Sequence, residues 1–117
     1  MPDDIALWLR TARALDLKMY YEEEWFGERY YYYAEGEREH QPIADYSADL
    51  GACAEVLAAI EARGWRWQCY LLDDDVVALI DHYPATRRRG GVIQATAPTL
   101  PEAICEAFCR AVEASKA

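Results

Sequence analysis

Hydrophobic residues recur at intervals of three and four in three parts of this chain, and this spacing predicts three helices. The first follows Asp3 and Asp4, whose charges suit the positive end of a helix dipole, and we expect it to run for about four turns. Its inward positions are predicted to be Ile5, Trp8, Leu9, Ala12 and Leu15.

The second and third helices carry clear signals at their ends. Ser47 can cap the second helix, with Asp49 in its first turn, and Gly64 is placed to end it. The third helix opens with a capping box formed by Thr99 and Glu102. The predicted inward residues are Leu50, Cys53, Leu57 and Ile60 on the second helix and Ile104, Cys105, Phe108 and Val112 on the third.

Between these two helices the pattern changes from helical to alternating, which predicts three strands. Every second residue from 65 to 71 is apolar, so this strand is expected to turn one face toward a core. Those residues are Trp65, Trp67, Cys69 and Leu71. The aspartates at 73–75 predict a turn, residues 76–80 the returning strand, and residues 92–97 a short third strand.

The segment 18–34 is unusually aromatic. It holds six of the nine tyrosines together with Trp25 and Phe26. Aromatic residues favour strands and Gly27 is suited to a turn, so we predict a strand pair or an extended arm. The polar segment 35–45 is predicted to be a loop.

These elements predict a single domain over residues 1–117 of the α/β (α+β) class. We expect a small antiparallel or mixed sheet, of about three or more strands, packed with three helices in sandwich-like layers. Residues 1–43 would form the first helix and the aromatic, acidic arm. Residues 44–115 would form the core.

Charge and composition narrow the possible functions. The chain has 21 acidic and 12 basic residues and a net charge of −9, which argues against broad nucleic-acid binding and favours a partner with a basic surface. It has neither an apolar run long enough to span a bilayer nor the features of a signal peptide, so we expect a cytoplasmic protein with no membrane contact. The four cysteines form no C-x-x-C pair and are expected to be reduced core thiols, with no metal and no cofactor.

Two motifs resemble those of the phage ABA sandwich domain family, small proteins of phages and prophages. The first is the Tyr-Ser-x-Asp start at 46–49, followed by an Ala-rich helix. The second is the Ala-Pro-x-x-Pro-Glu-Ala-Ile-Cys run at 97–105, again followed by an Ala-rich helix. The resemblance covers residues 44–115 and implies a sheet between helical layers. It brings no catalytic residues with it, and it implies a role in host takeover or counter-defence.

The tyrosine- and glutamate-rich segment is the first candidate binding surface. Tyrosine offers a large, stiff contact area with a polar tip, and the interleaved glutamates would attract a basic partner. The alternative interpretation is an amphipathic strand pair whose tyrosines cover the core. Four successive tyrosines at 30–33 cannot all lie on one face of a strand, so about two should point outward. The expected contact residues are Tyr20, Tyr21, Glu22, Glu23, Glu24, Trp25, Tyr31 and Tyr33.

A second candidate site is the basic loop near residue 90. Arginine pairs with phosphate through two hydrogen bonds, glycine lets backbone N–H groups approach an anion, and nearby aromatic rings can stack on a base. These parts suit a protein that sequesters a nucleotide signal at a dimer interface. The alternative interpretation is a solvated loop whose arginines offset the surrounding acids. The residues of this candidate site are Arg87, Arg88, Arg89, Gly90, Gly91, Trp65, Trp67 and Tyr83.

Nothing in the sequence predicts catalysis. A Cys–His nucleophile pair is conceivable, for instance Cys69 with His82, but Cys69 occupies an inward position where a thiol is expected to be inert packing. We therefore expect a non-enzymatic phage or prophage accessory protein that inhibits a host antiviral defence protein through its acidic, tyrosine-rich surface. A nucleotide sponge is the alternative, a virion or assembly component the second alternative, and a homodimer fits each of them.

Overall fold

The chain folds into three helices and two separate three-stranded antiparallel sheets in the computed structural model, which describes residues 6–17, 19–24, 27–33, 40–42, 44–82 and 92–116. The strands between residues 19 and 42 are described by their backbone and register. The predicted α+β class is confirmed. The helices are α1 (Leu7–Ala14), α2 (Leu50–Ala62) and α3 (Leu100–Lys116). The strands are β1 (Met19–Glu24), β2 (Gly27–Tyr33), β3 (His40–Pro42), β4 (Arg66–Leu72), β5 (Asp75–Asp81) and β6 (Val92–Ala97).

Helix α3 is the centre of the core. It contacts β5 and β6 as well as α1 and α2, and buried residues occupy most of its circumference. A surface helix buries only one stripe, so α3 is enclosed between the sheet and the other helices. Its four predicted inward residues are confirmed. The buried residues of α3 include Ala103, Ile104, Cys105, Ala107, Phe108, Cys109, Ala111 and Val112.

The beginning of α3 follows the predicted capping pattern. The hydroxyl of Thr99 accepts a hydrogen bond from the backbone N–H of Glu102 at 3.4 Å, and its carbonyl accepts from Ala103 at 3.1 Å. The first contact satisfies a donor that a helix start leaves unpaired, and the second is the first intrahelical hydrogen bond of α3.

Strand β5 is the central strand of its sheet, which has the order β4-β5-β6. Because side chains alternate along a strand, Val76, Ala78 and Ile80 share one face, and all three belong to the core that includes α3. We call this side of the sheet the helix face and the opposite side the outer face. The register places Cys69 of β4 and Ala95 of β6 beside Ala78 on the helix face.

Helix α2 begins later than predicted. Asp49, not Ser47, is the capping residue: its carboxylate accepts from the N–H groups of Gly51 at 2.7 Å and Ala52 at 3.3 Å. The hydroxyl of Ser47 instead donates to Asp45 at 3.0 Å. Both side chains are good N-caps, and sequence spacing alone did not tell them apart.

The inward face of α2 also differs from the prediction. Cys53 and Ile60 are buried as expected, but Leu50 is 65% exposed, and Val56 takes a core position instead. Leu57 is partly buried against the core. Leu50 is the first residue of the helix, directly after the capping residue Asp49.

The end of α2 agrees with the prediction. Gly64 has a φ of +76°, which glycine adopts without strain, and its N–H donates to Glu61. The N–H of Trp65 donates to Ile60, and the two bonds together form a Schellman motif. The adjacent Arg63 donates to the carbonyl oxygen of Ala14 at 3.3 Å, so the ends of α1 and α2 are joined.

Helix α1 spans eight residues, about two turns, whereas about four turns were predicted. It ends where Asp16 adopts a φ of +63°, and the predicted start at residues 3–5 lies outside the described residues. Arg10 pairs with Glu106 of α3 at 3.3 Å. Within the described residues, none of the three helices is long and apolar enough to cross a membrane.

The predicted strand pair in segment 18–34 is confirmed as β1 and β2. Gly27 is not its turn, since it is the first residue of β2 and pairs with Glu24. The predicted loop 35–45 was wrong in part, because β3 within it pairs with β2. The proline that ends β3 is compatible with its place at the sheet edge.

Strand β4 was predicted to turn one face to a core, and most of it does not. Only Cys69 is partly buried within the strand, while Trp67 is 37% and Leu71 76% exposed. β4 lies at an edge of its sheet, where α2 gives it little cover. The aspartate turn is confirmed in position, and Asp73 takes the left-handed conformation with a φ of +57°.

Candidate functional site

The register of β1 and β2 divides the predicted tyrosine and glutamate surface into two faces. Tyr20 is paired with Tyr31, and Glu22 with Arg29, so these positions share one face. Tyr21 is paired with Tyr30 on the other face. The positions of the Tyr20 face are Tyr20, Glu22, Glu24, Arg29, Tyr31 and Tyr33. The positions of the Tyr21 face are Tyr21, Glu23, Glu28, Tyr30 and Tyr32.

The predicted contact residues therefore do not form one surface. Five of the eight belong to the Tyr20 face, whereas Tyr21 and Glu23 belong to the opposite face. Trp25 lies outside the described residues. The four successive tyrosines at 30–33 alternate between the faces, as the strand period requires.

The arginine loop is anchored by the ends of two adjacent strands. Arg87–Gly91 and Tyr83 lie outside the described residues, but the flanking residues Asp81 and Val92 are paired across β5 and β6. The segment between them therefore leaves and returns at the same end of the sheet. Arg66, at the start of β4, is paired with Asp81 at this same end.

A hollow of about 260 Å³ lies beside the base of this loop, mainly on the outer face of the sheet. Asp81 and Val92 are part of its wall, so the two ends of the arginine segment border it. The sequence predicted only one of the lining residues, because the others come together through the register of three strands. The lining residues are Arg66, Trp67, Gln68, Leu79, Asp81 and Val92.

The two tryptophans assigned to the nucleotide site have different environments. Trp65 is a packing residue, with its ring 5.9 Å from that of His82 and 6.5 Å from that of Phe108. The guanidinium of Arg63 lies 5.5 Å from the centre of the Trp65 ring. Trp67 lines the hollow, is 37% exposed, and donates its indole N–H to Glu61 at 3.2 Å. Trp67 is paired with Ile80 on the helix face and its indole is bonded to α2, so neither ring is placed to stack on a ligand on the outer face.

The cysteines are placed for packing. Three are buried and Cys69 is partly exposed, and all four are free thiols, as the sequence predicted. Burial raises the pKa of each thiol, and that of Cys105 to about 12, so the reactive thiolate form is disfavoured.

The candidate nucleophile pair of Cys69 and His82 is not brought together. Cys69 is paired with Ala78, and His82 comes four residues later, about 13 Å along the strand. His82 instead packs edge-on against Trp65. Within the described ranges, no group of His, Cys, Asp and Glu side chains is arranged to hold a metal ion.

Comparison with known proteins bears on the fold of the chain. No protein-family model and no curated protein sequence matches the chain. The crystal structure of a phage protein from Bacillus cereus ATCC 14579 is similar in fold, with a TM-score of 0.64 and 17% sequence identity over 97% of this chain and 93% of that one. The chain thus shares its fold, over nearly its whole length, with a phage protein of known structure.

Proposed function

We propose that this chain is a phage or prophage accessory protein that acts in the host cytoplasm by binding, without catalysis. Its target is a host protein with a basic surface, a component of antiviral defence, which it inhibits by occupying that surface. The contact is made by the Tyr20 face of the β1–β2 arm.

One observation carries this proposal, namely the grouping of positions by strand register. Five of the eight predicted contact positions lie on the Tyr20 face: Tyr20, Tyr31 and Tyr33 form its aromatic part, and Glu22 and Glu24 continue it along β1, with Arg29 opposite Glu22. An aromatic group beside an acidic group is the composition expected of a surface that docks on a basic, partly apolar partner.

The charge of the whole chain supports the same partner. At a net charge of −9 the protein attracts a basic surface over a distance set by the ionic strength, and this raises the rate of encounter. Tyrosines at the contact would then slow dissociation, because they bury a large area with little loss of conformational entropy.

The phage assignment is supported by the likeness in fold to the Bacillus cereus phage protein. Further support comes from the motifs at 46–49 and 97–105, by which we propose residues 44–115 as a member of the phage ABA sandwich domain family. In the structure these motifs contain the cap of α2 and the start of α3, so they specify the scaffold. The binding surface would lie in the arm that precedes it.

Affinity capture from a bacterial lysate tests the proposal. The immobilised chain should retain one host protein in stoichiometric amount, and raising the salt concentration should release it, because screening weakens the attraction of an acidic surface. Capture that does not depend on salt, or no capture from lysates of defence-carrying hosts, would contradict the proposal. Presence of the chain in purified virions would favour a structural role in the particle.

A second function, sequestration of a nucleotide signal, is favoured by one specific observation. The hollow beside the arginine segment is about 260 Å³, just below the usual range for small-molecule pockets, about 300–1,000 Å³. The segment 83–91 joins two of the hollow's own lining residues and would supply the rest of the site. Arg66, on the same outer face as Asp81, would add a cation.

Nucleotide binding has its own test. Calorimetry with a panel of cyclic and linear nucleotides should give heat for at least one of them, and replacement of Arg66 by alanine should weaken the binding. Purified protein should also carry bound nucleotide, seen as excess absorbance at 260 nm. Absence of heat with every nucleotide would rule out this second function and leave the protein-binding proposal standing.

A further inference from the structure

Strand β4 exposes more large apolar side chains than an edge strand normally does. Trp67, Tyr70, Leu71 and Leu72 are 37%, 45%, 76% and 54% exposed, and all four lie within seven residues. The outward edge of such a strand also presents backbone N–H and C=O groups available for pairing with another strand. Natural proteins usually protect such an edge with charges, proline or a covering loop, and the only charged residue within β4 is Arg66.

We propose that β4 pairs antiparallel with β4 of a second copy of this chain, forming one six-stranded sheet across a two-fold axis at Cys69. In an antiparallel pair, residues that lie opposite each other are on the same face of the sheet. A two-fold axis perpendicular to the sheet at Cys69 places the two copies of Cys69 opposite each other and meets this requirement. Trp67 then faces Leu71 of the second copy, so the most exposed leucine of the strand is covered by an aromatic ring. The proposal is independent of the arm and its partner.

The charges at the two ends of β4 fit this partner. The strand begins with Arg66 and is followed by the aspartates at 73–75. Antiparallel pairing brings the basic end of each copy to the acidic end of the other. In this register Arg66 of each copy lies opposite Leu72 and next to Asp73 of the other copy, and this arrangement of charges favours the antiparallel orientation.

Helix α2 adds a second apolar surface beside this edge. Leu50, Ala54 and Ala58 are exposed and repeat at intervals of four on one side of the helix. Glu61 continues this side and accepts the hydrogen bond from Trp67 of β4. The exposed side of α2 therefore borders the edge strand, and two copies of it would meet across the axis.

The mass of the protein in solution tests the dimer. Light scattering after size exclusion at about 100 µM, where an interface of micromolar affinity is nearly saturated, should give twice the chain mass of 13.4 kDa. Leu71→Asp should raise the dissociation constant at least tenfold, with a melting temperature unchanged at a dilution where both proteins are monomeric, and Ala58→Arg should weaken the dimer as well. Thr96→Asp, which changes an exposed residue on the opposite edge strand, should leave the dimer intact.

The register has a separate test. Oxidation with copper phenanthroline should link two copies through Cys69, since the other three cysteines are buried, and Cys69→Ala should prevent the link. A monomer at about 100 µM, or a dimer that Leu71→Asp does not weaken, would overturn the proposal. If the protein is a monomer, the exposed edge of β4 would instead be available to pair with an extended segment of another protein.

Discussion

The thiol of Cys105 on α3 donates a hydrogen bond to the backbone carbonyl of Tyr46 at 3.2 Å, and both residues are almost completely buried. This contact joins residues 59 positions apart and holds the segment before α2 against the central helix. The tyrosine of the Tyr-Ser-x-Asp motif is therefore a core residue, and the aspartate of the same motif is the helix cap.

Cys105→Ala should make the protein less sensitive to alkali. Burial raises the pKa of the Cys105 thiol to about 12, so above pH 9 the unfolded chain loses this proton before the folded chain does. The free energy of unfolding that the buried, protonated thiol contributes is complete below the pKa of the thiol in the unfolded chain. It is lost as the pH rises towards 12, and the free energy of unfolding falls by up to about 1.4 kcal/mol per pH unit.

Urea denaturation at several pH values from 8 to 11 measures this effect. The variant should be about 1–2 kcal/mol less stable at pH 8, because it loses the hydrogen bond and leaves a small cavity, and its stability should fall less steeply with pH. Cys69→Ala is the control, since that thiol is partly exposed and the slope should change less. Parallel slopes for the wild type and Cys105→Ala would contradict the account.

Asp49→Ala should destabilise the protein by about 1 kcal/mol, because two backbone N–H groups at the start of α2 lose their acceptor. Ser47→Ala removes only an exposed hydrogen bond to Asp45 and should change the stability by less than about 0.5 kcal/mol. The free energy of unfolding in urea compares the two. An equal or larger loss for Ser47→Ala would show that Ser47 is the cap after all.

The elements of the core could be predicted because local signals and burial agree there. Thr99 and Glu102 mark the start of α3, and the spacing of Ile104, Phe108 and Val112 follows from the helical period. The cap of α2 was misplaced because two good capping residues stand two positions apart. The burial of Tyr46 had no local signal, since it depends on a contact with distant α3.

The sites were harder to predict, for two physical reasons. The alternation of Trp67, Cys69 and Leu71 is the same for a half-buried strand and an exposed edge strand, and only the position of β4 in the sheet separates them. The hollow and the two faces of the arm depend on pairing between strands, which residue types alone do not specify. Tyr20 and Tyr31 could thus be proposed as contacts, but their placement opposite each other could not.

The central claim is that the Tyr20 face binds a host protein, and the affinity of two matched triple variants for the captured partner tests it most directly. Each variant replaces three tyrosines of one face by serine. The two sets are Tyr20, Tyr31 and Tyr33 on the Tyr20 face and Tyr21, Tyr30 and Tyr32 on the Tyr21 face. The account predicts that the first variant binds at least about tenfold more weakly, at a melting temperature close to that of the wild type, and that the second binds as the wild type does. Equal affinities for the two variants, or a large drop in melting temperature for the first, would contradict it.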